Sequence, residues 1–121
     1  DGDGPDVFQR TYDFIMENKV DAAQFHLLTP FPGTKLYDDM VKDNRITDSD
    51  WSKYHTGEVV FKPAKMTARE LQEGYWWIYH KTYDMRNILR RNLRSPRGLA
   101  YRIGTNLSYR RKARKMPHVM L

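Results

Sequence analysis

Apolar and polar side chains alternate most clearly over residues 22–28, where Ala23, Phe25 and Leu27 fall on one side of an extended chain and Gln24, His26 and Leu28 on the other. This period of two predicts a strand whose first side packs on a helical layer and whose second faces a polar interior or ligand cavity. It runs into Thr29-Pro30-Phe31-Pro32-Gly33-Thr34, where two prolines withhold backbone donors and a glycine permits positive φ. A rigid, sharply turned loop is expected there, followed by a short helix over 35–43. Another extended stretch, Glu58-Val59-Val60-Phe61, has β propensity and is closed by Pro63. Because an unpaired strand exposes N–H and C=O groups along its edges, residues 22–28 are expected to pair with 58–62 or with a second chain, giving a strand-paired homodimer.

Helical spacing governs most of the remainder. Residues 5–18 place Phe8, Thr11, Tyr12 and Ile15 on one face, with Asp3 or Gly4 as N-cap, Pro5 at the first helical position and Asn18 in the left-handed conformation at the end. Residues 66–94 read as one long amphipathic helix. Thr67-Ala68-Arg69-Glu70 is its capping box, Met66 and Leu71 its hydrophobic staple, and Leu71, Tyr75, Ile78, Thr82, Met85 and Leu89 its buried stripe. Ser95-Pro96-Arg97-Gly98 breaks it. A last helix over 99–115 carries Leu99, Ile103 and Leu107 on its stripe and Arg102, Arg110, Arg111, Lys112, Arg114 and Lys115 on its surface. Between these elements, Thr47 or Asp48 can cap a short turn holding Trp51 and Tyr54, which either anchor a long connection or form one wall of a substrate cavity. Helix, strand, helix is the rhythm of a parallel α/β sheet, so the expected class is α/β or α+β, mostly helical, with one small sheet.

Charge changes the picture of the last third. The chain of 121 residues carries a net +6, but residues 1–84 hold ten Lys/Arg against fifteen Asp/Glu, whereas residues 85–121 hold eleven Lys/Arg and no acid. The basicity is a property of the tail. Its readings are a solvated face, attraction to an anionic lipid surface or lipid-like substrate, and nucleic acid, the last least favoured. Absence of cysteine excludes thiolate catalysis, disulfides and cluster ligation within these residues. With no apolar run of the ~18 or more residues a membrane span requires, and no signal-peptide pattern, a cytoplasmic protein is expected. Asp1-Gly2-Asp3-Gly4 invites comparison with a calcium loop, yet the twelfth position, where an EF-hand needs a bidentate Glu, is Tyr12. His26 stands alone without a metal-ligand partner at close spacing, and reads either as a structural residue or, sharing a face with Gln24, as a cavity-lining one. No metal site and no catalytic side chain are expected.

The run LLTPFPGTKLYDDM, followed by ITDSDWSKYHTGEVVFKPAKMTARELQEGY, resembles the carboxyl-terminal part of radical S-adenosylmethionine enzymes of the cobalamin-binding class. The likeness extends from Asp1 to about Pro117, and its most specific elements are residues 28–34, Asp50-Trp51 with Tyr54, and Val60-Phe61-Lys62-Pro63. It implies that residues 1–44 are the end of a partial (βα)6 barrel and that 45–121 are an extension of carboxyl-terminal helices. Thr29–Thr34 would follow the sixth barrel strand, and Asp3 would lie at the end of the fifth. It further implies that His26, Leu28, Thr29 and Asp3 lie on the cofactor side, backbone groups near Leu28 and Thr29 approaching the adenine of S-adenosylmethionine, and that Gln24, Pro30, Phe31, Trp51 and Tyr54 lie on the substrate side. The family binds its 4Fe–4S cluster through a C-x3-C-x2-C motif that this chain lacks. Opening on a turn without methionine, the chain reads as a segment of a longer polypeptide, its first partner. The cluster, S-adenosylmethionine and, in this class, cobalamin would belong to the full-length parent; none is expected bound to the segment alone, which would be catalytically inert. The competing reading is a small basic binding module for nucleic acid or an anionic lipid surface.

Overall fold

The computed structural model describes residues 1–119. Its α-helices are α1 (Val7–Glu17), α2 (Lys35–Lys42), α3 (Ala68–Thr82), α4 (Met85–Asn92) and α5 (Leu99–Ala113), with a 3₁₀ turn at Trp51–Lys53. Among the described residues there is no strand, and pairing is limited to one antiparallel bridge between Ile46 and Phe61. The α/β or α+β expectation, with its small sheet and partial (βα)6 barrel, is therefore corrected to a helical architecture. The chain divides into two compact units, Asp1–Pro5 with His26–Tyr75, and Asp6–Phe25 with Trp76 onward.

In the first unit, residues 58–62 find a partner other than the one expected. Thr47 N–H donates to Val60 C=O at 2.9 Å and Lys62 N–H to Arg45 C=O at 2.7 Å, with Val60 and Phe61 buried. The Arg45 side chain donates to Lys62 C=O at 2.9 Å through Nε and to the Asp1 carboxylate at 2.9 Å through Nη1, and Asp1 also accepts from Ala64 N–H at 3.1 Å. Residues 60–62 are thereby held to residues 45–47 and, through Arg45, to Asp1. Thr34 Oγ1 caps α2 by accepting from Tyr37 N–H. The capping box of α3 forms as its sequence dictates, Thr67 N–H donating to Glu70 Oε2 at 2.7 Å and Glu70 N–H to Thr67 Oγ1 at 3.0 Å.

The second unit explains why the alternating stretch is extended without being a strand. Ala23 N–H donates to the Tyr83 hydroxyl at 2.9 Å, and that hydroxyl donates back to Ala23 C=O. Two residues on, Phe25 does the same with Tyr79, both bonds measuring 3.1 Å. Two residues of extended chain rise about as far as one helical turn, so tyrosines four apart meet backbone groups two apart. Phenol groups on a helix thus satisfy the edge that a neighbouring strand would otherwise take. Alternation still sorts burial, with Phe25 edge-on to Tyr79 at 5.0 Å, but Gln24, His26 and Leu28 are exposed and do not face a polar interior.

The expected single helix over 66–94 is two. Asp84 takes an extended conformation and its carboxylate accepts from Arg86 N–H, starting α4 afresh. The register turns at this break, so Met85 and Leu89 leave the stripe and become exposed, while Asn87, Ile88, Arg91 and Asn92 are buried. On α5 the stripe is polar as well: Arg102 and Asn106 are buried and Leu107 is exposed. Both arginines are held by helix ends. Arg91 donates to Thr82 C=O at the end of α3 (2.7 Å), to Val20 C=O (2.8 Å), to Asp21 C=O (3.2 Å) and to Asn106 Oδ1 (2.9 Å). Arg102 donates to Asn92 C=O at the end of α4 (3.0 Å), to Ser95 C=O (2.6 Å) and to Arg97 C=O. Each guanidinium satisfies carbonyls that a helix terminus leaves open, at the negative end of its dipole. At the end of α1 it is Lys19 that has positive φ (48°), while Asn18 remains at −88° and donates its amide to Phe14 C=O.

Two outcomes follow from this wiring. Replacing Arg91 with Met leaves two buried acceptors, Thr82 C=O and Asn106 Oδ1, and the part-buried Val20 C=O without this donor and should cost on the order of 3 kcal/mol in chemical denaturation. Burial, opposed by the bond to Ala23, pushes the Tyr83 hydroxyl from its ordinary 10 up to about 12. The folded state therefore holds that proton more tightly than the unfolded chain, so Tyr83's contribution is intact below pH 10 and is lost as the pH climbs through about 12. A Tyr83→Phe variant should be less stable at neutral pH and should lack that alkaline loss in pH-dependent denaturation.

Candidate functional site

The loop between residue 26 and α2 is fixed from both ends. Leu27 N–H donates to Thr56 C=O at 2.9 Å, and His26 Nδ1 lies 2.8 Å from Thr56 Oγ1, Thr56 itself having a positive φ of 66°. The buried Thr29 hydroxyl donates to Leu27 C=O, and Phe31 N–H donates to Thr29 C=O. Gly33 takes the left-handed conformation at φ 85°, which a side chain would resist, and turns the chain so that Thr34 can donate to Phe31 C=O and cap α2. Leu27, Thr29 and Pro30 are buried against the unit, whereas Leu28 and Phe31 are 39% and 44% exposed. The outer surface of the loop is therefore apolar. Leu28 N–H and C=O and Thr29 N–H have no hydrogen-bond partner among the described residues.

A second part of the same unit supplies rings. Asp50 starts the 3₁₀ turn by accepting from Ser52 N–H, and the turn sets Trp51 edge-on to Tyr54 at 5.0 Å and tilted against Tyr37 of α2 at 6.1 Å. Tyr54 is buried, its hydroxyl donating to Asp48 C=O at 2.6 Å, and burial raises its pKa; Trp51 is 56% exposed. Lys53 donates to the Asp48 carboxylate and holds its pKa below the usual range. Tyr54 is thus a strut, and Trp51 the ring it presents.

Of the residues singled out in sequence, Leu28, Thr29, Pro30 and Phe31 share one loop, and Trp51 and Tyr54 share one ring pair. His26 is exposed and engaged with Thr56. Asp3 lies exposed in the amino-terminal coil. Gln24 belongs to the other unit, where Tyr109 Oη lies 3.5 Å from its Oε1. Tyr37 and Thr56 were not anticipated. Tyr37 could have been found from its place one turn into a capped helix, while Thr56 carries no local signal of its left-handed backbone.

Comparison with known proteins finds relatives to which part of this chain is similar. Over 96 residues the chain is 40% identical to the bacteriochlorophyllide d C-12(1)-methyltransferase of Chlorobaculum tepidum, covering 79% of this chain and 21% of that protein. The chain is homologous to a segment of these methyltransferases. It is also 31% identical over 86 residues to the bacteriochlorophyllide d C-8(2)-methyltransferase of the same organism, 71% of this chain and 19% of that protein. To the anaerobic magnesium-protoporphyrin IX monomethyl ester cyclase of Cereibacter sphaeroides it is 26% identical over 69% of its length and 13% of that protein. The chain thus spans about a fifth of the length of the two methyltransferases. No family model matches it, and no solved structure matches it.

The two rings should separate in stability measurements. Tyr54→Ala, which empties a buried position, should cost about 3–5 kcal/mol, whereas Trp51→Ala should cost about 1 kcal/mol, the value of an edge-on ring pair; urea titration of both variants checks this.

Proposed function

We propose that this chain is the carboxyl-terminal part of a radical S-adenosylmethionine methyltransferase acting on a tetrapyrrole, and that its first unit contributes a cofactor-side backbone edge and a substrate-side apolar wall. The observation that carries the reading is the 40% identity over 96 residues to a methyltransferase named for bacteriochlorophyllide d, supported by a second such enzyme and by a cyclase named for a magnesium porphyrin. All three named substrates are flat macrocycles with a large apolar face, and exposed Leu28, Phe31 and Trp51 offer apolar surface of the kind such a face requires.

The residues fit the cofactor in part. Having no cysteine, the chain offers no thiolate to an iron–sulfur cluster, which other residues of a longer polypeptide must hold. S-adenosylmethionine, reduced at such a cluster, supplies a radical for hydrogen abstraction, and cobalamin supplies a methyl carrier in enzymes of this class. Leu28 N–H and C=O, unpaired within the described residues, offer a donor and an acceptor of the kind adenine pairs with. Pro30 beneath the loop and the Gly33 turn hold that edge rigid, so its orientation is paid for in folding and not in binding. Phe31 and Trp51 would exclude water on the substrate side.

The test uses the protein at its full natural length, purified without oxygen. It should cleave S-adenosylmethionine to 5′-deoxyadenosine when given reductant and a chlorin substrate, and failure to do so in the presence of a full iron complement would refute the assignment. Trp51→Ala should raise KM for the macrocycle about tenfold, an aromatic contact's worth, while leaving S-adenosylmethionine affinity intact. An unchanged KM would remove Trp51 from the substrate wall.

A further inference from the structure

We propose that the outer surface of α4 and α5 is a docking face for an anionic lipid bilayer, on which the protein lies without crossing it. On α4, Met85, Leu89 and Leu93 recur every four residues and are 38%, 38% and 63% exposed, a stripe of aliphatic side chains turned to water. Arg86 and Arg90 follow one position later and are exposed beside it. Met85 also joins Leu107 of α5 in a shallow groove of about 550 Å³ whose other walls are Arg110, Arg111 and Arg114. Lys112 and Lys115 are exposed on the same helix end. Among the described residues Arg86, Arg90, Arg111, Arg114 and Lys115 make no ion pair with a carboxylate. No acid follows Asp84 anywhere in the chain.

Charge and apolarity together select the partner. Aliphatic side chains flanked by guanidinium groups are the pattern of an interfacial helix: the apolar stripe enters the acyl boundary and the cations remain with anionic headgroups. Nucleic acid would use the cations but not the leucines, since bases stack on rings, and the exposed ring of this surface is Tyr101 alone among its large apolar side chains. A second copy docked through the same face would set Arg86, Arg90, Arg111, Arg114 and Lys115 against the same cations of its partner. No helix among the described residues is long and apolar enough to cross a membrane, so the contact is peripheral. The inference does not depend on the proposed reaction.

The experiment sediments the full-length protein with sucrose-loaded vesicles of phosphatidylcholine alone or with one third phosphatidylglycerol. Binding should be confined to the anionic vesicles and should weaken as salt is added. Leu89→Ser with Leu93→Ser, at unchanged net charge and at exposed positions, should lower the partition coefficient roughly tenfold, and Arg86→Ser with Arg90→Ser should do so by a similar factor. Equal binding to neutral vesicles, no binding to either, or loss with the arginine pair but none with the leucine pair would overturn the proposal. Tighter binding to single-stranded RNA, competing the protein off vesicles, would assign the face to nucleic acid instead.

Discussion

A cation buried without a carboxylate must find oxygen from somewhere, and in the second unit it finds it at the ends of helices. Arg91 is fully buried, and its four acceptors come from the segment after α1, the last turn of α3 and a side chain of α5. Desolvation lowers its pKa, and the Tyr83 ring lies against the guanidinium at 5.7 Å. Because the guanidinium is planar and its donors diverge, two separate pieces of backbone and one side-chain amide have to converge on it at set angles. Arg102 repeats the arrangement one helix later. The end of α3 is thus closed by an arginine of α4, and the end of α4 by an arginine of α5.

The same economy of backbone groups governs residues 22–25. Two phenolic hydroxyls each accept one N–H and donate to one C=O, which is the full complement of a residue on one strand edge. Tyr79 and Tyr83 are nearly inaccessible, so these bonds are partly shielded from competing water. On the opposite edge, the backbone of Ala22 and Gln24 has no partner among the described residues.

Much of the helical layout was legible in the sequence. Period places α2 and α5 to within two residues of their observed bounds, whereas α1 starts at Val7 behind Asp6 and not behind Asp3 or Gly4; the Thr67–Glu70 box is written in four letters. What misled was the assumption that a buried stripe is apolar. Asp84 is an ordinary N-cap residue, but with helix formers on both sides a continuous helix and a capped break read alike. Arg102 was assigned to the surface because a charged residue on an amphipathic helix is normally there; only the tertiary placement of Asn92, Ser95 and Arg97 makes its burial tolerable. The missing sheet has a similar cause. Alternation specifies which side of a chain is buried and says nothing of what satisfies its edges. At the candidate site, the rigid Pro-Phe-Pro-Gly loop was readable from its residue types, whereas the division of labour between buried Tyr54 and exposed Trp51 depends on which ring the Asp48 carbonyl captures.

An interior in which Arg91, Asn92, Arg102 and Asn106 occupy places usually given to aliphatic side chains alters how the second unit responds to temperature. Exposing polar surface on unfolding lowers the heat capacity change that apolar surface raises. The stability curve of a unit with such an interior is expected to be flatter in temperature than one with the same number of aliphatic side chains buried.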